Sequence, residues 1–167
     1  MISRTAEYAL RAVVCLADRA AVPLTTERVA EVTQVPAGYL CKVLQALGRA
    51  GLVVSRPGLH GGFILGRPAE NISVLDVVNA VGGVRRIREC PLGLGSHRRN
   101  LCPLHRRLDE TAALVEQAFG ESTITELLAE PSRGKPLCEV ESLGSSGKGP
   151  RQKRAPQAFR AIRSPKG

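Results

Sequence analysis

Apolar residues recur at helical spacing in the first seventeen positions: Ile2, Ala6, Ala9, Leu10, Val13 and Ala17 fall on one side, while Arg4, Glu7, Arg11 and Asp18 fall elsewhere. This predicts an amphipathic first helix over residues 2–17. Pro23 interrupts the pattern, and "TTERVAEVTQ" then supplies a threonine cap at 25 or 26 for a short second helix carrying Val29, Ala30 and Val32. A turn follows, and Pro36 suits the first position of a third helix in which Leu40, Val43, Leu44 and Leu47 form one stripe. Tyr39, Lys42 and Gln45 point away from that stripe, and Gly51 ends the helix.

Two short β-prone runs, Leu52-Val53-Val54 and Phe63-Ile64-Leu65, flank the turn "SRPGLHGG" and predict a hairpin. Three helices followed by a hairpin is the winged-helix order. "SVLDVVNAV" reads as a fourth helix, with Ser73 as cap and Asp76 in its first turn. From Pro103 the period resumes as Leu104, Leu108, Ala112, Val115 and Phe119, with Arg106, Arg107, Asp109, Glu110, Glu116 and Gln117 off the stripe. So narrow a seam on one long helix suggests a partner helix. "STITELLAE" closes the pattern as a last short helix capped by Ser122 or Thr123.

The fold class that follows is mainly α with a small β-hairpin: a winged helix-turn-helix domain over 1–82, a Cys/His loop over 83–103, and a dimerisation helix with the short last helix over 104–130. Residues 131–167 read as a disordered basic tail, since Pro, Gly and Ser fill fifteen of its thirty-seven positions. No internal repeat is visible.

Charge sharpens this division. The formal charge is +9, yet the tail alone holds nine Lys/Arg against two acids. Residues 1–130 carry 15 bases and 13 acids, so a nucleic-acid argument for the folded part rests on where charge sits. No secretory signal or membrane span is visible, which predicts a cytoplasmic protein. Five cysteines in a reducing compartment favour free thiols, metal ligands or redox chemistry over structural disulfides.

In a helix-turn-helix the second helix meets the major groove with its leading residues, here Ala37, Gly38, Tyr39 and Lys42. The small pair Ala37-Gly38 lets the helix N-terminus approach a phosphate, and Tyr39 and Lys42 supply side-chain contacts. Thr26 heads the preceding helix and joins the expected DNA-contacting set. In the wing, Arg56, His60 and Gly61 would press onto the backbone or the minor groove. The bland alternative makes Tyr39 and Lys42 a solvated face and Gly58, Gly61 and Gly62 mere hairpin geometry. Helix-plus-hairpin patterns also serve as protein-binding modules.

The stretch "CPLGLGSHRRNLCPLH", Cys90 to His105, places two cysteines and two histidines within sixteen residues. Tetrahedral zinc on Cys90, His97, Cys102 and His105 is one reading. Thiols without metal, acting as a reversible redox pair, are another. Seven arginines at 85, 86, 88, 98, 99, 106 and 107, against the single acid Glu89, should favour thiolate and so aid either. Cys15 reads as a small core residue, while Cys41, beside Lys42, offers a thiol whose modification would disturb docking on DNA. Cys138 falls in the tail.

"AEYALRAVVCLA", "YLCKVLQALGRAGLVVSRPGLHGGFIL", "ISVLDVVNAVGG" and the cysteine loop leading into "CPLHRRLDE" together resemble the IscR/NsrR family of bacterial winged-helix transcription regulators, the Rrf family, type two. The resemblance covers about residues 1–130, in order. It implies homodimers joined through the long helix and binding pseudo-palindromic operators in double-stranded DNA, often as repressors. Some members hold an iron–sulphur cluster in the loop and others hold none.

Cluster-bearing members resemble C-x5-C-x5-C, with a histidine three residues after the third cysteine in one branch. On this chain Cys90, Ser96, Cys102 and His105 match those positions, so the middle thiol is missing. Serine is a far poorer iron ligand, and His97 next door could replace it. Glu7 matches an acidic first-helix residue that some members lend across the dimer. The resemblance therefore implies a two-iron cluster on Cys90, Cys102, His105 and either His97 or Glu7.

The function expected is a DNA-binding regulator sensing redox state, iron or nitric oxide, and not an enzyme. A zinc- or thiol-dependent enzyme is the alternative from another class. Against it, the histidines number three and sit in the wing and the loop, so no second constellation of base, nucleophile and pocket exists.

Overall fold

The computed structural model of the protein describes residues 2–19, 22–93 and 101–130. In chain order these form α1 (Arg4–Asp18), α2 (Thr26–Thr33), α3 (Ala37–Arg49), β1 (Val53–Arg56), β2 (Gly62–Leu65), α4 (Val74–Ala80), α5 (Pro103–Glu121) and α6 (Ile124–Ala129). A single 3-10 turn at Ala69–Asn71 separates β2 from α4. The six expected helices and the hairpin are all present, in the expected order.

Helix α1 is the hub. Ser3 caps it by accepting from the Ala6 N–H, and its apolar face, Ala9, Ala12, Val13 and Leu16, is almost wholly buried. It packs against α2, α3, α4, β2 and α6. The stripe foreseen for α3 is the buried one: Leu40, Val43, Leu44 and Leu47 each keep 1% or less of their surface. Pro36 serves as the cap residue of α3 and not as its first helical residue, with Leu40 N–H donating to its carbonyl at 2.9 Å.

The α2–α3 turn is made by Gln34, which adopts a left-handed conformation with φ 56° and closes α2 through its N–H to Ala30 O. Val35 then drops into the core. Arg11 braces the same turn from α1, donating to Thr33 O at 3.2 Å while pairing with Glu7. Thr33, the one buried polar residue among those described, donates to Val29 O at 2.6 Å.

Strands β1 and β2 pair antiparallel with Val53 opposite Leu65 and Arg56 opposite Gly62. Leu24 bridges to Phe63 through a reciprocal pair of backbone hydrogen bonds of 3.0 and 2.8 Å, fastening the wing to the segment before α2. The Ser73 cap of α4 is a full capping box with Asp76, and Arg67 from the base of the wing donates to the same carboxylate at 2.9 Å.

The packing of the last two helices departs from the sequence grouping. Helix α5 has no buried residue and packs mainly on α4, its far end held by Phe119 against Ala6, Val74 and Val78. Helix α6, grouped with α5 on sequence, folds back into the core of the N-terminal unit. Ile124 is fully buried there, its N–H bonded to Ile72 O at 2.9 Å, and Leu127 and Leu128 pack beside it. The capping box of Thr123 and Glu126 starts a new helix at once, and the bridge between Ser73 and Thr123 lays its first turn beside Ile72.

Candidate functional site

The leading edge of α3 faces outward. Ala37, Gly38, Cys41 and Lys42 are exposed, and Gly38 has open space where a β-carbon would stand. Tyr39 keeps 41% of its surface but is not a free side chain. Its ring meets Tyr8 edge-on at 5.6 Å, and its hydroxyl shares a hydrogen bond with Thr5. Tyr39 thus ties α3 to α1. Thr26 is the first residue of α2, and Thr25 is the cap, accepting from Arg28 N–H at 3.2 Å.

In the wing, Arg56 and His60 are exposed, and so is Leu59, with 96% of its surface open at the tip. Sequence reasoning passed over Leu59; an aliphatic residue inside a Pro/Gly turn was the available signal. The glycines have a steric reason of their own. A β-carbon on Gly61 would stand 2.2 Å from Arg56 O, and one on Gly62, whose φ is +151°, would stand 2.5 Å from Leu24 O. Hairpin geometry by itself therefore accounts for both glycines.

At the start of α5, Cys102 is the cap residue and Pro103 takes the first helical position. His105, one turn in, brings Nδ1 within 3.3 Å of Cys102 Sγ. Cys90, Cys102 and His105 are all partly exposed. His97 and Ser96 lie outside the described residues, as do Cys138 and the tail. Tetrahedral metal–sulphur and metal–nitrogen bonds of about 2.3 and 2.0 Å would separate the two atoms by roughly 3.5 Å, close to the spacing observed. Among the described residues, no group of three or more His, Cys, Asp and Glu side chains stands ready to hold a metal. With Ser96 in the middle position, the donors suit a mixed Cys/His group and not a three-thiolate one.

Glu7 is engaged by Arg11 within α1, so serving as a ligand would require it to leave that pair. Burial pushes the Cys15 thiol above its ordinary value, as suits a core residue.

The basic character foreseen for the loop is partly cancelled. Arg86 places Nε and Nη2 on the two oxygens of Asp109, both at 2.7 Å, and Nη1 on Glu116 at 2.7 Å. The Ile87 N–H adds a fourth bond, to Asp109 Oδ1 at 2.8 Å. Hydrogen bonding to Arg86 holds the Asp109 carboxyl at about 2, well below its ordinary 3.8. Arg106 and Arg107 both lean on Glu110. Counting arginines within the loop missed these acids because they lie on α5, up to thirty residues from their partner.

Beside this cluster, Ile2, Val84, Leu108, Ala112 and Val115 line a shallow groove of about 340 Å³. Of the α5 seam, Leu104 and Leu108 keep 64% and 50% of their surface exposed while Ala112, Val115 and Phe119 are partly buried, so its first half is open. No helix among the described residues is long and apolar enough to cross a membrane.

Comparison with known proteins agrees with this architecture. The family model "Rrf2: Iron-dependent Transcriptional regulator" matches residues 2–130. A putative HTH-type transcriptional regulator of Aquifex aeolicus is 28% identical over 131 residues, 77% of this chain and 91% of the relative. The HTH-type transcriptional repressor NsrR of Streptomyces coelicolor is 31% identical over 110 residues, 66% of this chain and 74% of its own. Among solved structures, T. potens IscR superposes with a TM-score of 0.64 at 23% identity, covering 80% of this chain and 93% of that one. CymR, the global cysteine regulator of B. subtilis, gives 0.62 at 24%, covering 77% and 96%. These relatives are regulators and not enzymes, and the chain belongs to the Rrf2 family of winged-helix, DNA-binding transcription regulators.

Proposed function

We propose that the protein is a homodimeric repressor of transcription in the cytoplasm, whose grip on a pseudo-palindromic operator responds to a redox- or iron-linked change at Cys90–His105. The observation that carries the DNA-binding part is the outward edge of α3, where Ala37, Gly38 and Lys42 are exposed above a fully buried stripe. Lys42 and the open N-terminus of α3 contact phosphate and base edges, Thr26 flanks them from α2, and Tyr39 holds α3 against α1. Arg56, Leu59, His60 and Gly61 form the wing that follows the backbone into the neighbouring groove.

The open first half of the α5 seam supports dimerisation, since Leu104 and Leu108 continue the apolar groove that Ile2 and Val84 line with α5. In this reading residues 1–82 form the DNA-binding unit, 83–103 the sensing loop, and 104–130 the dimer-forming helix α5 with α6, which packs back into the first unit, while the basic tail adds nonspecific phosphate attraction. The sensing reading draws support from three relatives: the family is described as iron-dependent, NsrR of Streptomyces coelicolor is a repressor, and CymR of Staphylococcus aureus has been solved in an oxidized form.

Cys90, Cys102 and His105, with His97 or Glu7, would hold a two-iron cluster or zinc; such a group would supply a link between the loop and the head of α5 that its loss removes. The chain's own part is to keep Cys102 and His105 together at that head and to pass any shift of the loop along α5 to the partner, changing the spacing of two recognition helices. A metal-free regulator of the same fold is the second reading, favoured by the absent middle cysteine.

Anaerobic purification with iron, sulphide and zinc analysis separates these readings. A coloured protein with stoichiometric iron and sulphide supports the cluster, and a colourless metal-free protein that still binds its operator supports the second. Salt-sensitive binding to specific duplex DNA tests the DNA-binding part, and its absence would overturn it.

A further inference from the structure

Among the described residues, α3 is the one α-helix without a carboxylate. Glu7, Glu27, Asp76, Asp109 and Glu126 stand on the others, whereas the charges of α3 are the cations Lys42 and Arg49. Arginines on α1, α2, α5 and the segments on either side of α4 are paired with acids. Lys42 and Arg49 have no such partner among the described residues. A surface that meets a polyanion needs this composition, since a carboxylate on it would repel each phosphate.

Gly38, Lys42, Gln45 and Arg49 follow one another at spacings of four, three and four, so they line one face of α3. All four are exposed, opposite the buried Leu40, Val43, Leu44 and Leu47. Reading a base edge by hydrogen bonds requires a directed donor and acceptor. Ala37 and Gly38 have no polar side-chain atom, Cys41 offers only a weak S–H donor, and Lys42 is a compact cation suited to phosphate. The next turn holds Gln45, whose amide supplies both a donor and an acceptor.

The other two described glutamines spend their amides locally: Gln34 Nε2 donates to Glu31 O at 2.7 Å and Gln117 Nε2 to Glu121 at 2.8 Å. The Gln45 amide makes no hydrogen bond within the described residues. The first turn of α3 also leaves room for it to reach inward. Ala37 is small, and nothing stands within 4 Å of where a β-carbon on Gly38 would lie, so no bulk at the leading edge holds the helix off the floor of a groove.

We infer that Gln45 is the specificity-determining residue of α3, reading an adenine in the major groove while Lys42 and Arg49, on either side of it along the helix, attract the flanking phosphates. The amide oxygen accepts from adenine N6–H and the amide nitrogen donates to N7, the two-point pairing of glutamine with adenine. This rests on the reading of α3 as the groove-facing helix and goes beyond it by naming the residue and the base.

The test uses the full-length protein and the duplex that it enriches from random sequences. Gln45→Ala, at an exposed helical position that alanine suits, should keep the unfolding midpoint. It should lower affinity for that duplex by about tenfold and lose the preference for one A·T pair in each half-site, keeping the others. Replacing that adenine by 7-deazaadenine, which lacks N7, should weaken the native protein by about fivefold and leave Gln45→Ala unaffected. Lys42→Ala, by contrast, should weaken binding to all sequences alike.

Base preferences unchanged in Gln45→Ala, or a loss confined to a G·C pair, would overturn the inference while Lys42→Ala still weakens binding. Equal weakening of both proteins by 7-deazaadenine would assign the N7 contact to another residue and overturn it as well. Should Lys42→Ala also leave affinity unchanged, α3 does not face DNA, and that reading falls together with the inference.

Discussion

A methyl group at Gly62 would be driven against the carbonyl of Leu24, and at Gly61 against that of Arg56. Neither neighbour is a flexible side chain that could swing aside. Gly62→Ala should therefore cost about 1–3 kcal/mol, read as a lower midpoint in denaturant unfolding, because the backbone at φ +151° is also strained for any L side chain. His60→Ala, at an exposed position beside it, should leave stability within about 0.5 kcal/mol while weakening operator binding. Lys42→Ala should weaken binding across sequences and reduce the slope of log affinity against log salt by about one, as loss of a single phosphate contact does. These roles were half legible in the sequence. The glycine-rich tip announced a tight turn, but only the backbone geometry shows that Gly61 and Gly62 are required by sterics before any question of DNA arises. Tyr39 was legible as outward-facing and illegible as a tether, because Thr5 and Tyr8 lie more than thirty residues away in the chain.

Helices and caps were the readable level. The stripe of α3, the Ser73 cap with Asp76 and the start of α5 after Cys102 follow from local periodicity and capping chemistry, which act within a few residues. What periodicity could not assign was the destination of each apolar face. Helix α6 is legible as a separate short helix grouped with α5, yet Ile124 goes into the core with Ile72 and Leu47. Ile124→Ala should cost about 2–4 kcal/mol in chemical denaturation, the range for truncating a fully buried aliphatic residue. The contact of Arg86 with Asp109 and Glu116 was hidden for the opposite reason: Arg86 looked like one basic residue among seven, and Asp109 and Glu116 like solvated helix positions. Asp109 gives it a pH signature. Its carboxyl titrates near 2 in the folded protein against 3.8 ordinarily, so its contribution to stability is complete above about pH 4 and is lost as pH falls toward 2. Asp109→Asn should accordingly flatten the fall in stability across that window, as followed by acid titration of the helical signal.

At the scale of the whole molecule, one protomer leaves the first half of the α5 seam uncovered while its own core is closed by α6. Leu104 and Leu108, exposed on a nineteen-residue helix next to a groove that Ile2 and Val84 share with it, mark the surface that the proposed second copy would cover. Leu108→Asp should shift the sedimentation coefficient to that of a monomer and lower operator affinity by at least about a hundredfold, because each recognition helix would then bind its half-site alone. The winged-helix frame was legible because its signals are local and in order, and the family resemblance extended it to the dimer. The proposed sensing loop is where legibility stopped. The sequence names its candidate donors, and of these the structure brings Cys102 and His105 together at the head of α5.

The central claim is that paired copies of this chain present two α3 edges to duplex DNA. Selection of bound sequences from a pool of random duplexes by the full-length protein tests it most directly. Enrichment of two inverted half-sites at a fixed spacing of one helical turn, or a multiple of it, is predicted. Recovery of a single unpaired half-site, or of no sequence above the pool, would contradict it.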